Sequence, residues 1–458
     1  MASAYLQRTQ SGTETDSKKA TISVWVKLGN HVGNFNAGIF GTHVSGNYGA
    51  DGNSQIGFYN GGLYAWFLDN GGTAYYKQES TRRFRDHNAW YHIVYRFDMT
   101  ESTASNRIRV YVNGEEVTSF ASSNNPGSTQ NIQMNNGGRI VRVGTYNFTG
   151  GGHNYLDGSM SDLHFCDGYS YAPTEFGETD ATTGIWKPKT SPSVNYGTNG
   201  FFLKFDNSAN MGLDSSGNSN NLTTNGTIIQ NKDTPTNVFA TLNVLDATSQ
   251  TLSHVNLSGY GVTNKTSTAT LGFSKGKYYW ECKCVTQNTY TMIVGITNQT
   301  NMENGSYSSG NVGTNANGWS YFMQNNTDNG KAFNNNTLSS VYQTISQGDI
   351  LQIAVDADAG KIWWGVNGTW VNSGDPANGT NAVYTNVSTD QMLFPAYSVY
   401  AGSGGTPLVS FNFGNGFFGT TAVSSAQNPD DGVGIFEYDP PAGYRALCTK
   451  SINAQEYS

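Results

Sequence analysis

Cleavage of a glycosidic bond needs two carboxyl groups about 5–9 Å apart across one cleft. Glu115 and Glu116 follow an Asn113-Gly114 turn. Neighbours in a strand point to opposite faces, so these two cannot share a cleft. Glu178 and Asp180 fall in the loop after Phe176 and read as solvated turn carboxylates. The histidines His31, His43, His87, His92, His153, His164 and His254 make no metal spacing. His92 and His164 sit inside alternating runs and read as packed or surface strand residues. No Gly-x-Ser-x-Gly elbow occurs in a strand-to-helix context. Gly150–Gly152 has no helix after it, which argues against a phosphate loop. The four cysteines, Cys166, Cys282, Cys284 and Cys448, match neither zinc spacing nor a dense disulfide framework. Cys282 and Cys284 share a strand face with Trp280 and read as small buried hydrophobes. No catalytic residue is assigned, and the expected protein is not an enzyme.

Aromatic side chains beside turns are the better candidates for binding, because sugar rings and peptides stack on them. Trp66 precedes Leu68-Asp69-Asn70-Gly71, Trp319 and Tyr321 follow Asn315–Gly318, and Trp370 follows Asn367-Gly368. These four are the candidate ligand contacts. Of Trp363 and Trp364, which point opposite ways, one is expected in the core.

The elements that must position these residues are strands. In Ala20–Lys27, Ile22, Val24 and Val26 face one way and Ser23, Trp25 and Lys27 the other. Tyr91, Ile93, Tyr95 and Phe97 share a face, as do Ile108, Val110 and Val112. The same alternation returns in Lys277–Val285, in Leu351, Ile353 and Val355, and in Val409, Phe411 and Phe413. Long helical periodicity is absent. Both halves contain a hairpin ending in Val-Asn-Gly, at 112–114 and 366–368. Between them, residues 206–237 are rich in Asn, Ser and Gly. The reading is therefore all-β, with two antiparallel β-sandwich (jelly-roll) domains in tandem. The first spans 1–206, a turn-rich linker 207–240, and the second 241–458 with a C-terminal extension.

Only 13% of the 458 residues are charged, while 55 are glycine and 13% aromatic. Strands joined by Gly/Asn turns account for that mixture. The net charge of −8 and the lack of a basic cluster argue against nucleic-acid binding. No apolar run approaches the roughly 18 residues of a membrane-spanning helix. The start, Met1-Ala-Ser-Ala-Tyr5, lacks the pattern of a secretory leader.

Ala20–Lys27, Trp90–Asp98, Arg109–Glu115, Val143-Gly144 and Leu156–Phe165 together resemble the laminin-G-like, concanavalin A-like lectin family. Lys275–Glu281, Val294–Ile296, Gly348–Ile350, Val355–Asp358, Trp363–Gly368, Phe394–Ala396 and Phe411–Gly414 resemble a SPRY domain. The first resemblance implies a jelly-roll of two curved sheets. The second implies a sandwich that binds proteins or peptides through its end loops. Glucanases of the first fold carry Glu-x-Asp-x-x-Glu on one strand, a pattern missing here. The lectin resemblance also implies calcium at a sandwich rim, with Asp51, Asn53, Asp69 and Asn70 as candidate ligands. Asx turns explain those residues equally well. Asp356 and Asp358 leave the same choice, with turn geometry favoured. No other cofactor is implied. Tyr171–Gly177, Gly184–Pro188, Thr198–Phe205, Asp233–Asn243 and Pro441–Thr449 resemble stretches of tailed-phage fibre and virion proteins. That implies an adhesin on the virion surface, made in a cytoplasm and used outside it. Its expected partners are host-surface glycan, other virion proteins and copies of itself. The alternative is a decoration protein of capsid or tail that binds no receptor.

Overall fold

A computed structural model describes the chain except for residues 1–3, 30–34, 45–52, 70–71, 148–152, 246–249, 255–256, 262–265, 301–309, 401, 403–405 and 457–458. Two compact units divide it, Met1–Gln230 and Asn231–Ser458. Both are built almost wholly of antiparallel strands.

In the first unit an eight-stranded sheet runs in the spatial order Phe120–Asn124, Ala74–Ser80, Gly62–Leu68, Ser54–Tyr59, Ala37–His43, Ile140–Val143, Tyr5–Thr9, Thr223–Asn225. A six-stranded sheet runs Phe201–Leu203, Gly158–Asp167, Lys19–Leu28, Trp90–Asp98, Ile108–Val112, Glu115–Glu116. Ile22, Val24, Val26, Tyr91, Ile93, Tyr95 and Phe97 join the core, as the alternation predicts. Opposing sheets meet ring to ring, at 5.3 Å for Phe40 and Phe165 and 5.5 Å for Phe67 and Phe97. The other face of the six-stranded sheet is buried too. Residues 169–196 cross it, with Thr21 Oγ1 donating to Tyr169 O and accepting from Tyr171 N.

The stretch read as a linker is divided between the units. Met211 and Leu222 enter the first core. Thr223–Asn225 closes the edge of the eight-stranded sheet beside Tyr5–Thr9. Phe239 and Ala240 belong to the second unit, where Ala240 N donates to Leu447 O. The composition is turn-rich because Asp214 organises a tight loop, accepting from Phe202 N, Ser216 N, Ser216 Oγ and Asn220 N. A short edge strand carried on such turns reads like a connector.

In the second unit the first sheet runs Gln250–Ser253, Ser258–Gly261, Leu408–Asn412, Lys277–Thr286, Ile350–Asp356, Lys361–Val366, Thr369–Trp370. Arg445–Ala446 adds a parallel pairing to Tyr278–Tyr279. The facing sheet runs Ser267–Thr268, Leu393–Val399, Met292–Asn298, Gly318–Phe322, Lys331–Asn334, Thr337–Val341. Tyr321 and Trp364 meet across the gap at 5.8 Å, and Tyr397 and Phe411 at 5.6 Å. Both members of the tryptophan pair are buried. Trp364 lies in the inter-sheet core. Trp363 lies on the outer face under Phe436, Tyr444 and Ala446 of the C-terminal segment.

The two Val-Asn-Gly turns work alike. Asn113 and Gly114 adopt φ of 51° and 83°, Asn367 and Gly368 φ of 48° and 86°. Such left-handed pairs suit hairpin turns. Each Asn side-chain oxygen accepts a backbone N–H from the partner strand, His92 N at 2.8 Å and Ile350 N at 2.9 Å.

Candidate functional site

The four aromatic candidates do not converge. Trp319 and Tyr321 are core residues, 1% and 0% exposed. Their spacing of two on one strand turns both inward. Trp319 Nε1 donates to Asn386 Oδ1 at 3.1 Å, and Tyr321 Oη donates to Gln343 O at 2.7 Å. Trp370 is half-buried against the outer cluster, 6.4 Å from the Tyr279 ring. Trp66 is half-buried on the face of its strand opposite the core residues Leu63, Ala65 and Phe67, flanked by Gln55 and Lys77.

Of the calcium candidates, Asp51 and Asn70 lie outside the described residues. Asp69 serves a turn, its Oδ1 accepting Thr73 N at 2.9 Å. Asn53 is buried, and its backbone oxygen accepts Leu68 N. Among the described residues no three His, Cys, Asp or Glu side chains are grouped to hold a metal. Asp356 pairs with Lys277 at 3.3 Å and caps Ala359 N at 2.9 Å, a turn role.

Several groups with chemical potential are wired for structure. Ser23 Oγ lies 2.8 Å from His92 Nε2, the spacing of a nucleophile and its base. Trp186 Nε1, however, donates to His92 Nδ1 at 2.9 Å. The ring proton therefore sits on Nε2 and is donated to Ser23, so this nitrogen cannot take the serine proton. Burial holds His92 neutral, with its pKa pushed down to about 3. His164 is likewise lowered to about 3 by burial and bonds Tyr196 Oη through Nδ1 at 2.8 Å. Burial pushes the Cys284 thiol up to about 12 and raises Cys282, so neither is a thiolate at neutral pH. Lys187 pairs with Asp180 at 2.9 Å and Glu178 at 3.7 Å. Asp180 Oδ1 also accepts Thr182 N and Thr183 N, which with Lys187 holds its pKa low.

Glu281 is a buried carboxylate that alternation alone places outward. Tyr279 Oη (2.9 Å) and Tyr438 N (2.8 Å) donate to Oε1, while Asn412 Nδ2 (3.2 Å) and Glu437 N (3.0 Å) donate to Oε2. Desolvation pushes its pKa up to about 7 against these donors. It ties the C-terminal segment to the sheet and has no exposed surface left for a substrate.

A shallow cleft of about 420 Å³ remains in the first unit. Tyr171, the Ser193–Tyr196 segment, Ser216 and Asn218 line it. Tyr171 belongs to the segment crossing the six-stranded sheet, where its ring stacks on Tyr169 at 5.8 Å. Asn195 N donates to Tyr171 Oη at 2.9 Å, and Asn195 Oδ1 accepts Gly197 N at 3.0 Å. Asn218 Nδ2 donates to Gly197 O (2.7 Å) and Gly200 O (3.1 Å), joining the third wall to the second. None of these residues was a sequence candidate. Tyr171 opens one of the fibre-like stretches, and 216–218 lie in the Asn/Ser/Gly-rich segment whose composition reads as a linker. Their meeting depends on contacts about 20 to 45 residues apart, which periodicity does not encode.

Comparison with known proteins places two families on this chain. Residues 2–175 match the concanavalin A-like lectin/glucanases superfamily, and residues 277–415 match the SPRY domain. The chain thus carries a concanavalin A-like domain and a SPRY domain in tandem, a pairing of classes that typically bind ligands without catalysis. Similar solved structures include the SPRY domain of human HERC1, at 20% identity and TM-score 0.26, covering 34% of this chain and 87% of that one. Stonustoxin matches at 17% identity and TM-score 0.28, over 38% of this chain and 27% of that one. A heptameric SAP-like pentraxin from Limulus polyphemus matches at 17% identity and TM-score 0.26, over 37% and 72% of the two chains. Comparison with curated proteins gives no match.

Proposed function

We propose that this protein is a non-catalytic recognition protein of a tailed-phage virion surface, and that its first unit binds host-surface glycan in the Tyr171–Asn218 cleft. The observation that carries the reading is the cleft itself, with hydroxyls and carboxamides gathered from three segments of the first unit. Such a shallow site binds weakly alone, and many copies on one particle multiply its effect. The virion assignment is supported by the fibre-like stretches, one of which, Tyr171–Gly177, begins at the cleft wall.

The experiment is a binding assay of the purified chain on whole host cells, with soluble surface glycan as competitor, beside immunogold labelling of intact particles. Saturable binding that glycan displaces, and labelling of the particle surface, are expected. Binding by Tyr171→Ala at wild-type strength, with wild-type melting, removes the cleft from the reading. A second reading, a decoration protein of capsid or tail, draws on the uncharged edge strand Thr337–Val341, where Leu338 is 39% and Val341 51% exposed. Adherence to empty capsids or tails without adherence to cells decides for it.

A further inference from the structure

We infer that the cleft takes an uncharged saccharide chain and discriminates against acidic ones, an inference that rests on the reading of this cleft as the glycan site. The lining contains hydroxyls (Tyr171, Ser193, Tyr196), carboxamides (Asn195, Asn218) and Val194, with no Lys, Arg or His. A carboxylate or sulfate binding here would gain no cation from the lining.

The protein's own hydrogen bonds set what the cleft can offer. Tyr171 Oη already accepts Asn195 N, so its remaining strength is as an O–H donor. Asn195 Oδ1 is used by Gly197 N, which leaves the Asn195 NH₂ as donor. Asn218 is the reverse: its NH₂ is used by Gly197 O and Gly200 O, which leaves Oδ1 as acceptor. Two donors and an acceptor are thus held around one opening. A sugar hydroxyl donates one hydrogen bond and accepts two, so it can satisfy this mixture. A carboxylate only accepts, so it can use the two donors but leaves Asn218 Oδ1 without a donor.

The test titrates the full chain against neutral hexose oligosaccharides and against uronate- or sialate-bearing oligosaccharides of equal length. The neutral series is expected to bind at least about tenfold tighter. Its affinity should change less than about twofold between roughly 50 and 300 mM salt, since no ion pair is there to be screened. Asn195→Asp keeps the acceptor for Gly197 N but replaces the donor with a charge, and should weaken neutral binding about tenfold. Ser193→Lys, which places a cation in the lining, should improve acidic binding. Tighter binding of the acidic series to wild type, abolished by Asn195→Asp, overturns the inference and keeps the glycan site. Binding of neither series, or equal binding by both variants and wild type, overturns the glycan site itself.

Discussion

At the scale of single residues, the two units carry buried titratable groups whose effects on stability oppose each other. In the first, burial lowers His92 and His164 from 6.5 to about 3. Between those values the unfolded chain binds protons that the folded unit refuses, so the unit loses stability as pH falls from about 6.5. In the second, Glu281 rises from 4.5 to about 7. Between those values the folded unit holds a proton that the unfolded chain has released. Its stability therefore falls as pH rises from about 4.5 to about 7, by at most about 3 kcal/mol. Calorimetry across that window should show the two melting transitions moving in opposite directions. Glu281→Gln should flatten the slope of the second transition, whatever it does to its height, and leave the first alone. Parallel movement of both transitions in wild type, or an unchanged second slope in the variant, counts against these assignments. The sequence left His92 and His164 open between packed and surface positions and gave no sign that Glu281 is buried. Alternation places His92 and Glu281 on outer faces, and only the segments that later fold over those faces make them buried.

At the scale of elements, the sequence was a good guide to inner faces and a poor one to outer faces. Ile22, Val24 and Val26, then Leu351, Ile353 and Val355, then Val409, Phe411 and Phe413, all stand in the cores where period-two alternation puts them. Trp319 and Tyr321 were misjudged because the Asn315–Gly318 turn outweighed their own spacing, which already set them on one inward face. The larger gap concerns coverings. The SPRY match ends at residue 415, yet Phe436, Tyr444, Ala446 and Cys448 pack on Tyr279, Ala354 and Trp363. The helix Thr449–Glu456 continues the strap, Gln455 bonding both the N–H and the carbonyl of Lys277. A chain ended at residue 415 bares those aromatics, each worth about 1.5–3 kcal/mol of burial, and strips two N–H donors from Glu281. We expect its second transition to vanish or to drop by more than about 10 °C, with the first transition unmoved. The milder Tyr444→Ala should cost about 3–5 kcal/mol in the same transition. A second transition unchanged by the truncation shows the strap to be dispensable.

At the scale of the whole molecule, the composition shift at 206–237 spans the point, between Gln230 and Asn231, where the chain divides into two compact units. Asn, Ser and Gly mark turns, and turns serve both a connector and the tight loops of a sheet edge. What separates the two is where the backbone groups are bonded. Residues 214–225 are held by the Asp214 network and by pairing of Thr223–Asn225 with Tyr5–Gln7. Ala240 and Val238 are held by the C-terminal strap, through Leu447 O and Thr449 N. Residues 231–237 fall between these anchorages, with Thr234 and Asn237 bonded to each other. Limited proteolysis should therefore cut first within 231–237 and leave 207–228 intact, because 231–237 lies outside the strands of either unit. The two products should each keep a melting transition, and the N-terminal fragment, which holds the whole cleft, should keep the glycan binding of the intact chain per site. Avidity on cells should survive only if that fragment also retains the means of association. A first cut inside 207–228, or an N-terminal fragment that folds but no longer binds the sugar, would show that the division between the units is drawn in the wrong place.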